Sequence, residues 1–245
     1  LTYRTSNPAL NKNTFKSVSS SNSFSLDQKM TIKGTVDKTA FCLILLLIPA
    51  YYVFTTGSVG YAIPGAVLGF ILAFVTIFKR KWAQYTVPAY SVAQGCALGG
   101  ISYYYNQAYD GIVLQSISLT LCILFSLLFA YRSKIIRATE NFKLGLFAAM
   151  GGIILLYVVN FIMSFFGSGI SLLDINNSSN LSIGLSLFIV VIASLNLVID
   201  FDFIEEGSEK GAPKYMEWYG AFGLLVTLIW LYLEILRMLA KIKNR

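Results

Sequence analysis

From residue 39 onward the chain is a series of apolar runs, each about as long as a bilayer crossing and separated by short polar punctuation. A helix needs about 20 apolar residues to span a hydrocarbon core. Seven runs meet that length: 39–56, 60–78, 84–105, 112–131, 144–166, 182–203 and 219–240. The spacing predicts an all-α, polytopic membrane protein, a seven-transmembrane-helix bundle. Composition agrees, with 56% hydrophobic and 13% charged residues, where a soluble domain carries about 25% charge. A soluble enzyme, a disordered chain and a disulfide scaffold are excluded.

Residues 1–38 are polar and rich in Ser, Asn, Thr and Lys. They contain no apolar core of signal-peptide length, so no cleavable signal is expected. The chain therefore divides into a polar cytoplasmic N-terminal tail, 1–38, expected to be poorly ordered, and a seven-helix transmembrane domain, 39–245. The connection Gly57-Ser58-Val59 is so tight that the first two helices must be antiparallel neighbours.

Cytoplasmic loops collect Lys and Arg. The tail and every second loop carry fifteen basic residues, among them Lys79–Lys81, Arg132–Lys143, Lys210 and Lys214, whereas the alternate loops carry none. That asymmetry puts the N-terminus in the cytoplasm. It also explains the net charge of +7, through anionic inner-leaflet lipid, without a nucleic-acid partner. Lys241, Lys243 and Arg245 disagree, because seven crossings put them outside. Either the last span re-enters, or a short outer tail is outvoted.

Small residues let helix backbones approach in lipid. Gly65/Gly69, Gly95/Gly99 and Ala148/Gly152 have that spacing, and Pro64 and Pro88 are candidate kinks. Cys42, Cys96 and Cys122 lie in apolar runs without metal or redox spacing and read as buried small hydrophobes. With no His in the sequence, there is no Ser-His triad, HExxH zinc site or haem His.

Ionisable residues inside a span are costly and are functional candidates. Asp200 shares a helix face with Asn196, four residues back. Asp202 points nearly opposite and continues into Glu205, Glu206 and Glu209, a solvated helix end. In the last span Glu234 and Arg237 are spaced i, i+3 and can neutralise each other; alternatively Glu234 lines a polar path. If the last two helices turn near Gly211, Glu234 lies about 18 Å further from the turn than Asp200, and Thr227 only about 8 Å further. Geometry thus favours Asp200–Thr227. Burial disfavours a charged carboxylate, so an enclosed Asp200 would respond to protons without imidazole. Ionised, it is a hard oxygen ligand that attracts Ca2+ transiently; protonated, it loses that attraction.

Several segments carry a resemblance: Arg4-Thr5-Ser6-Asn7-Pro8-Ala9-Leu10, Gly34-Thr35, Gln94-Gly95, Leu98-Gly99-Gly100-Ile101-Ser102, Asp200-Phe201-Asp202-Phe203, Lys214–Gly223 and Leu231–Arg237. Together they resemble the bacterial, YccA-like branch of the Bax inhibitor family (transmembrane Bax inhibitor motif proteins), over about residues 4–240. The resemblance implies a seven-helix fold with the last helix central, in the bacterial inner membrane. It also implies a pH-sensitive Ca2+ leak controlled by an aspartate pair on helices six and seven and a basic residue on helix two. Asp200 matches the helix-six aspartate. Anchoring on Arg237 puts Thr227 at the second position; anchoring on Tyr232-Leu233 puts Glu234 there. Lys79 or Arg80 would be the basic residue.

The expected function is a pH-sensitive cation leak with no cofactor, Ca2+ being the permeant ion. The alternative, also implied by the resemblance, is a non-transporting regulator that binds a membrane AAA protease through its tail. An intramembrane enzyme is not expected: His, the commonest general base, is absent, and no GxGD aspartyl-protease motif occurs.

Overall fold

A computed structural model describes residues 29–167 and 169–245; the first 28 residues of the tail, and the expectations placed on them, lie outside the described part. Seven long helices account for nearly all of it: α1 (Ile32–Thr56), α2 (Ala62–Phe78), α3 (Ala83–Ala108), α4 (Ile112–Arg132), α5 (Glu140–Phe165), α6 (Asn180–Glu209) and α7 (Met216–Lys243). No strand occurs among the described residues, only a single bridge between Lys29 and Pro213. The all-α, seven-helix expectation holds. Helix starts are written locally: Thr31, Thr139 and Ser179 each accept a hydrogen bond from a first-turn N–H of α1, α5 and α6, the usual N-cap arrangement. Gly57, at φ +65°, ends α1 in the left-handed region, which permits the tight turn into α2.

Six of the seven helices are long and apolar enough to cross a membrane; α3 is the exception. It packs against α1, α2, α4 and α7 and keeps an outer face at Tyr85, Val92 and Tyr104. Its buried face is accordingly small and polar, including Ser91, Gly95, Gly99, Gly100 and Ser102.

The glycines explain how closely these helices meet. A Cβ at Gly95 or Gly99 would overlap the carbonyl of Leu46 or Ala50 on α1, and one at Gly65 would lie 2.6 Å from the Ala93 carbonyl on α3. Gly152 of the third small-residue pair faces open space, so that spacing builds no seam within the chain. Pro88 lies inside α3, whereas Pro64 falls in the first turn of α2, where a missing N–H costs no helical hydrogen bond.

α7 is the central helix. It packs against α1, α3, α4 and α6, and 56% of its most apolar window is buried, against 44% for α6 and 22% or less for the other apolar spans. α5 sits at the other extreme, packed on α6 with 11% buried. Its exposed face is Leu144, Ile154, Leu155, Phe161 and Phe165, the side chains that meet lipid tails in a multi-pass membrane protein.

The first helix starts at Ile32, seven residues inside the segment read as tail, because the residues there have partners. Met30 N donates to the Ala212 carbonyl (2.7 Å), and Met30 packs against Gly207 and Gly220. Glu217, 1% exposed, accepts from Thr31 N and Thr31 Oγ1 (3.0 Å each) and pairs with Lys38. Gly34 makes this possible, since a Cβ there would overlap the Glu217 carboxylate.

At the other end of the molecule α7 closes as one unbroken helix from Met216 to Lys243. The buried Lys241 donates to the Leu172 carbonyl, Lys243 to the Asp110 carbonyl and Asn244 to the Ile175 carbonyl. Two of the three basic residues that disagreed with the charge asymmetry, Lys241 and Lys243, are therefore spent on carbonyls of the far loops. Cys42 is buried as expected, but Cys96 is partly exposed and Cys122 exposed: Cys122 sits on the outer face of α4 and is not a core residue.

Candidate functional site

Antiparallel helices that turn at one point bring together residues equally distant from it. The turn between α6 and α7 contains Gly211 at φ +62°, where glycine is favoured. Asn196 lies 15 residues before it and Thr227 16 after; Asp200 lies 11 before and Gly223 12 after. The contacts follow. Asn196 Nδ2 donates to Thr227 Oγ1 at 3.0 Å. Asp200 Oδ1 would lie 3.5 Å from a Cβ on Gly223, and the carboxylate also interacts with the Thr227 side chain.

The other oxygen of that carboxylate has no partner. Asp200 Oδ2 is the one buried side-chain nitrogen or oxygen left unbonded among the described residues. The contrast with the surrounding hydroxyls is sharp: Ser91, Ser116, Thr120 and Ser194 each donate to the backbone carbonyl one turn back, the usual refuge of a hydroxyl in an apolar helix. A short carboxylate cannot use that refuge, because the helix offers it carbonyls and no free N–H.

Asp200, Asn196 and Thr227 line a cavity of about 700 Å³ bounded by α2, α3, α5, α6 and α7. α3 contributes Tyr90 and Gln94, and α2 contributes Ala66, Phe70, Ala73 and Ile77, a stripe at helical spacing. Asp202 and Glu206 stand at its margin with Lys143 of α5, which forms an ion pair with Asp202. Asp202 is thus neither part of the buried pair nor simply bathed in solvent; it ties α6 to α5.

Glu234 and Arg237 do not line this cavity. Glu234 is 2% exposed, and both its oxygens accept from Arg237 at 3.0 Å. Tyr157 of α5 donates to Glu234 Oε1 (2.7 Å) and accepts from Arg237 (2.6 Å). The i, i+3 neutralisation read from the sequence is present. It lies about 10 Å beyond Thr227, seven residues further along α7. Tyr157 could not have been found from the sequence, since nothing in α5 marks it. Gln94 stands in a stretch quoted for the family resemblance, but its place in the wall depends on its packing against Gly69.

The basic residues after α2 do not reach Asp200. Lys79 stacks over Trp82 and Arg80 over Tyr219, at 4.3 and 5.3 Å from the ring centroids. Tyr219 lines the cavity, so Arg80 bears on its wall from behind. No group of three or more acidic, Cys or His residues arranged to hold a metal occurs among the described residues.

A family model described as Bax inhibitor 1 like matches residues 7–244. The chain belongs to that family. As a Bax inhibitor-like protein with apolar helices it is a multi-pass membrane protein. No curated protein and no solved structure matches it. The match to this Bax inhibitor-like family covers the paired helices α6 and α7 in full, and with them the whole cavity.

Proposed function

We propose that this protein is a proton-sensitive cation leak of the bacterial cytoplasmic membrane, with its N-terminus in the cytoplasm and Ca2+ as the permeant ion. The observation that carries this reading is the unbonded Oδ2 of Asp200 inside a cavity that also holds Asn196 and Thr227. An ionised carboxylate there attracts a cation to the midst of the spans, and Asn196 and Thr227 add neutral oxygens. Taking up a proton removes the charge and the attraction. Glu234, Arg237 and Tyr157 form a second, self-neutralised layer that an ion must pass on the way to the far end. No catalytic step and no resident cofactor belong to this reading.

The test is Ca2+ release from proteoliposomes. The wild type is expected to leak faster at pH 8 than at pH 6, since proton uptake by a carboxylate on the path removes the charge that draws the cation. Asp200→Asn is expected to leak at least tenfold more slowly at pH 8 and to lose the difference between the two pH values. Equal leak from both proteins would remove Asp200 from the path; no leak from either would remove the activity.

The second reading, a regulator that binds a membrane AAA protease, draws support from where the polar leader joins the bundle. It arrives at Lys29, beside the turn between α6 and α7, so a partner gripping the leader would pull on the helices that carry Asp200. Deleting residues 1–28 should abolish pull-down of the protease from native membranes while leaving Ca2+ release unchanged.

A further inference from the structure

The wall of the Asp200 cavity is ill suited to hold a bare metal ion and well suited to something larger. Ca2+ takes six to eight oxygen ligands. Beside Asp200, the side chains of Asn196, Thr227 and Gln94 offer neutral oxygens; Asp202, Glu206 and the hydroxyls of Tyr90 and Tyr219 also line the cavity, but Asp202 is held by Lys143 and Glu206 by Lys210, and the rest of the wall is aromatic and aliphatic. A Ca2+ ion could visit only with its water. An organic cation brings its own apolar shell and needs one carboxylate and several ring faces.

Three further observations point the same way. The cavity, at about 700 Å³, falls within the usual range for small-molecule sites, about 300–1,000 Å³. Its charge is one-sided: of the three carboxylates that line it, Asp202 engages Lys143 and Glu206 engages Lys210, which leaves Asp200 as the one with no ion pair among the described residues. It also has a side door. α2 packs on α3 and α5 packs on α6, but no packed seam joins α2 to α5. Phe70 and Phe147 stand on either side of that gap, 64% and 45% exposed. Both helices face lipid, so the gap opens into the bilayer.

We propose that the cavity is a binding site for a lipophilic organic cation, an amphiphilic ammonium or phosphonium, which enters from the membrane between α2 and α5 with Asp200 as its counter-ion. The site shares its carboxylate with the proposed leak but does not depend on permeation. The aromatic wall takes up the apolar groups of the guest, and Asp200 Oδ2 gains the partner that the protein itself does not provide.

The experiment is equilibrium dialysis of radiolabelled tetraphenylphosphonium against the full chain in phosphatidylcholine nanodiscs. Uncharged triphenylphosphine oxide is the neutral control. The wild type is expected to bind the cation saturably, one per chain, above the background of empty nanodiscs. Asp200→Asn should weaken cation binding at least tenfold and leave the neutral compound unaffected. Ala73→Trp, which fills the α2 side of the cavity, should weaken both. Gly152→Leu, on a face of α5 away from the cavity, should change neither, and thermal unfolding checks that each variant is folded. Non-saturable uptake by the wild type, or equal cation binding by the wild type and Asp200→Asn, overturns the proposal. Should Asp200→Asn fail to fold, undiminished binding to Ala73→Trp overturns it instead. Ca2+ release from proteoliposomes made with the same purified proteins separates the two readings: leak without cation binding sinks only this site, and cation binding without leak sinks only the channel.

Discussion

At the scale of single residues, two of the acids enclosed on α7 or against it have opposite fates. Glu217 is saturated, by Thr31 and Lys38, whereas Asp200 keeps one oxygen unbonded. The first is a structural clasp. Removing one member of a buried, hydrogen-bonded ion pair costs about 3–5 kcal/mol where the other is left unpaired in the interior. Lys38 is 18% exposed and can turn to water, so Glu217→Ala should cost less, about 2–3 kcal/mol. The approach of α1 depends equally on a missing side chain. Gly34→Ala pushes a methyl into the Glu217 carboxylate, and overpacking of this kind costs about 1–3 kcal/mol. Gly60, with nothing within 4 Å of the added carbon, is the control. Thermal unfolding in detergent should show a lowered midpoint for Gly34→Ala and Glu217→Ala and no change for Gly60→Ala. The sequence disclosed Asp200 because an acid inside an apolar helix is conspicuous. It concealed Glu217, which reads as an ordinary helix-start acid until Thr31 and Lys38 are brought to it from 186 and 179 residues away.

At the scale of helices, the apolar runs placed six spans within a few residues, because lipid imposes length and hydropathy together. The start of α1 moved, and α3 falls short of a membrane span in apolarity, for one physical reason. Polar residues buried against protein look like tail or loop in a hydropathy reading. Thr35 and Lys38 therefore hid the first turns of α1, and Ser91 and Ser102 lowered the apolarity of α3. The pairing of α6 with α7 was legible by counting from Gly211, and with it Asp200 beside Thr227. The lateral gap between α2 and α5 was not, since it depends on which helices fail to meet. Small-residue spacing was informative only where another helix came to it. Gly95→Leu or Gly99→Leu should therefore separate α1 from α3 and cost about 3 kcal/mol or more, while Gly152→Leu should be neutral within about 0.5 kcal/mol. Unfolding of purified variants by graded denaturing detergent is the measurement, and equal sensitivity at all three positions would contradict this account of the seams.

At the scale of the whole molecule, the two ends of the bundle differ in charge. Residues 29–31, 79–82, 133–139 and 210–215 gather at one end, and Asp110, Leu172 and Ile175 meet the close of α7 at the other. The proposed orientation puts the basic end in the cytoplasm. Single cysteines placed in a background lacking Cys42, Cys96 and Cys122 should report it. Ser58→Cys and Asp110→Cys are expected to react with a membrane-impermeant maleimide in intact cells, and Ser133→Cys only after the cells are opened. The reverse pattern would invert the protein in the bilayer and turn the mouth of the Asp200 cavity outward.

The helix around which the others are arranged comes after all six of them in the chain. Its partners are therefore made before it, and the inner faces of α1, α3, α4 and α6 must wait for it. The clasp at Glu217 and the latch at Lys241 close only once α7 has joined the bundle. A chain cut within α7 would carry its other greasy segments to the membrane yet leave them unlocked, as a ready target for quality-control proteolysis.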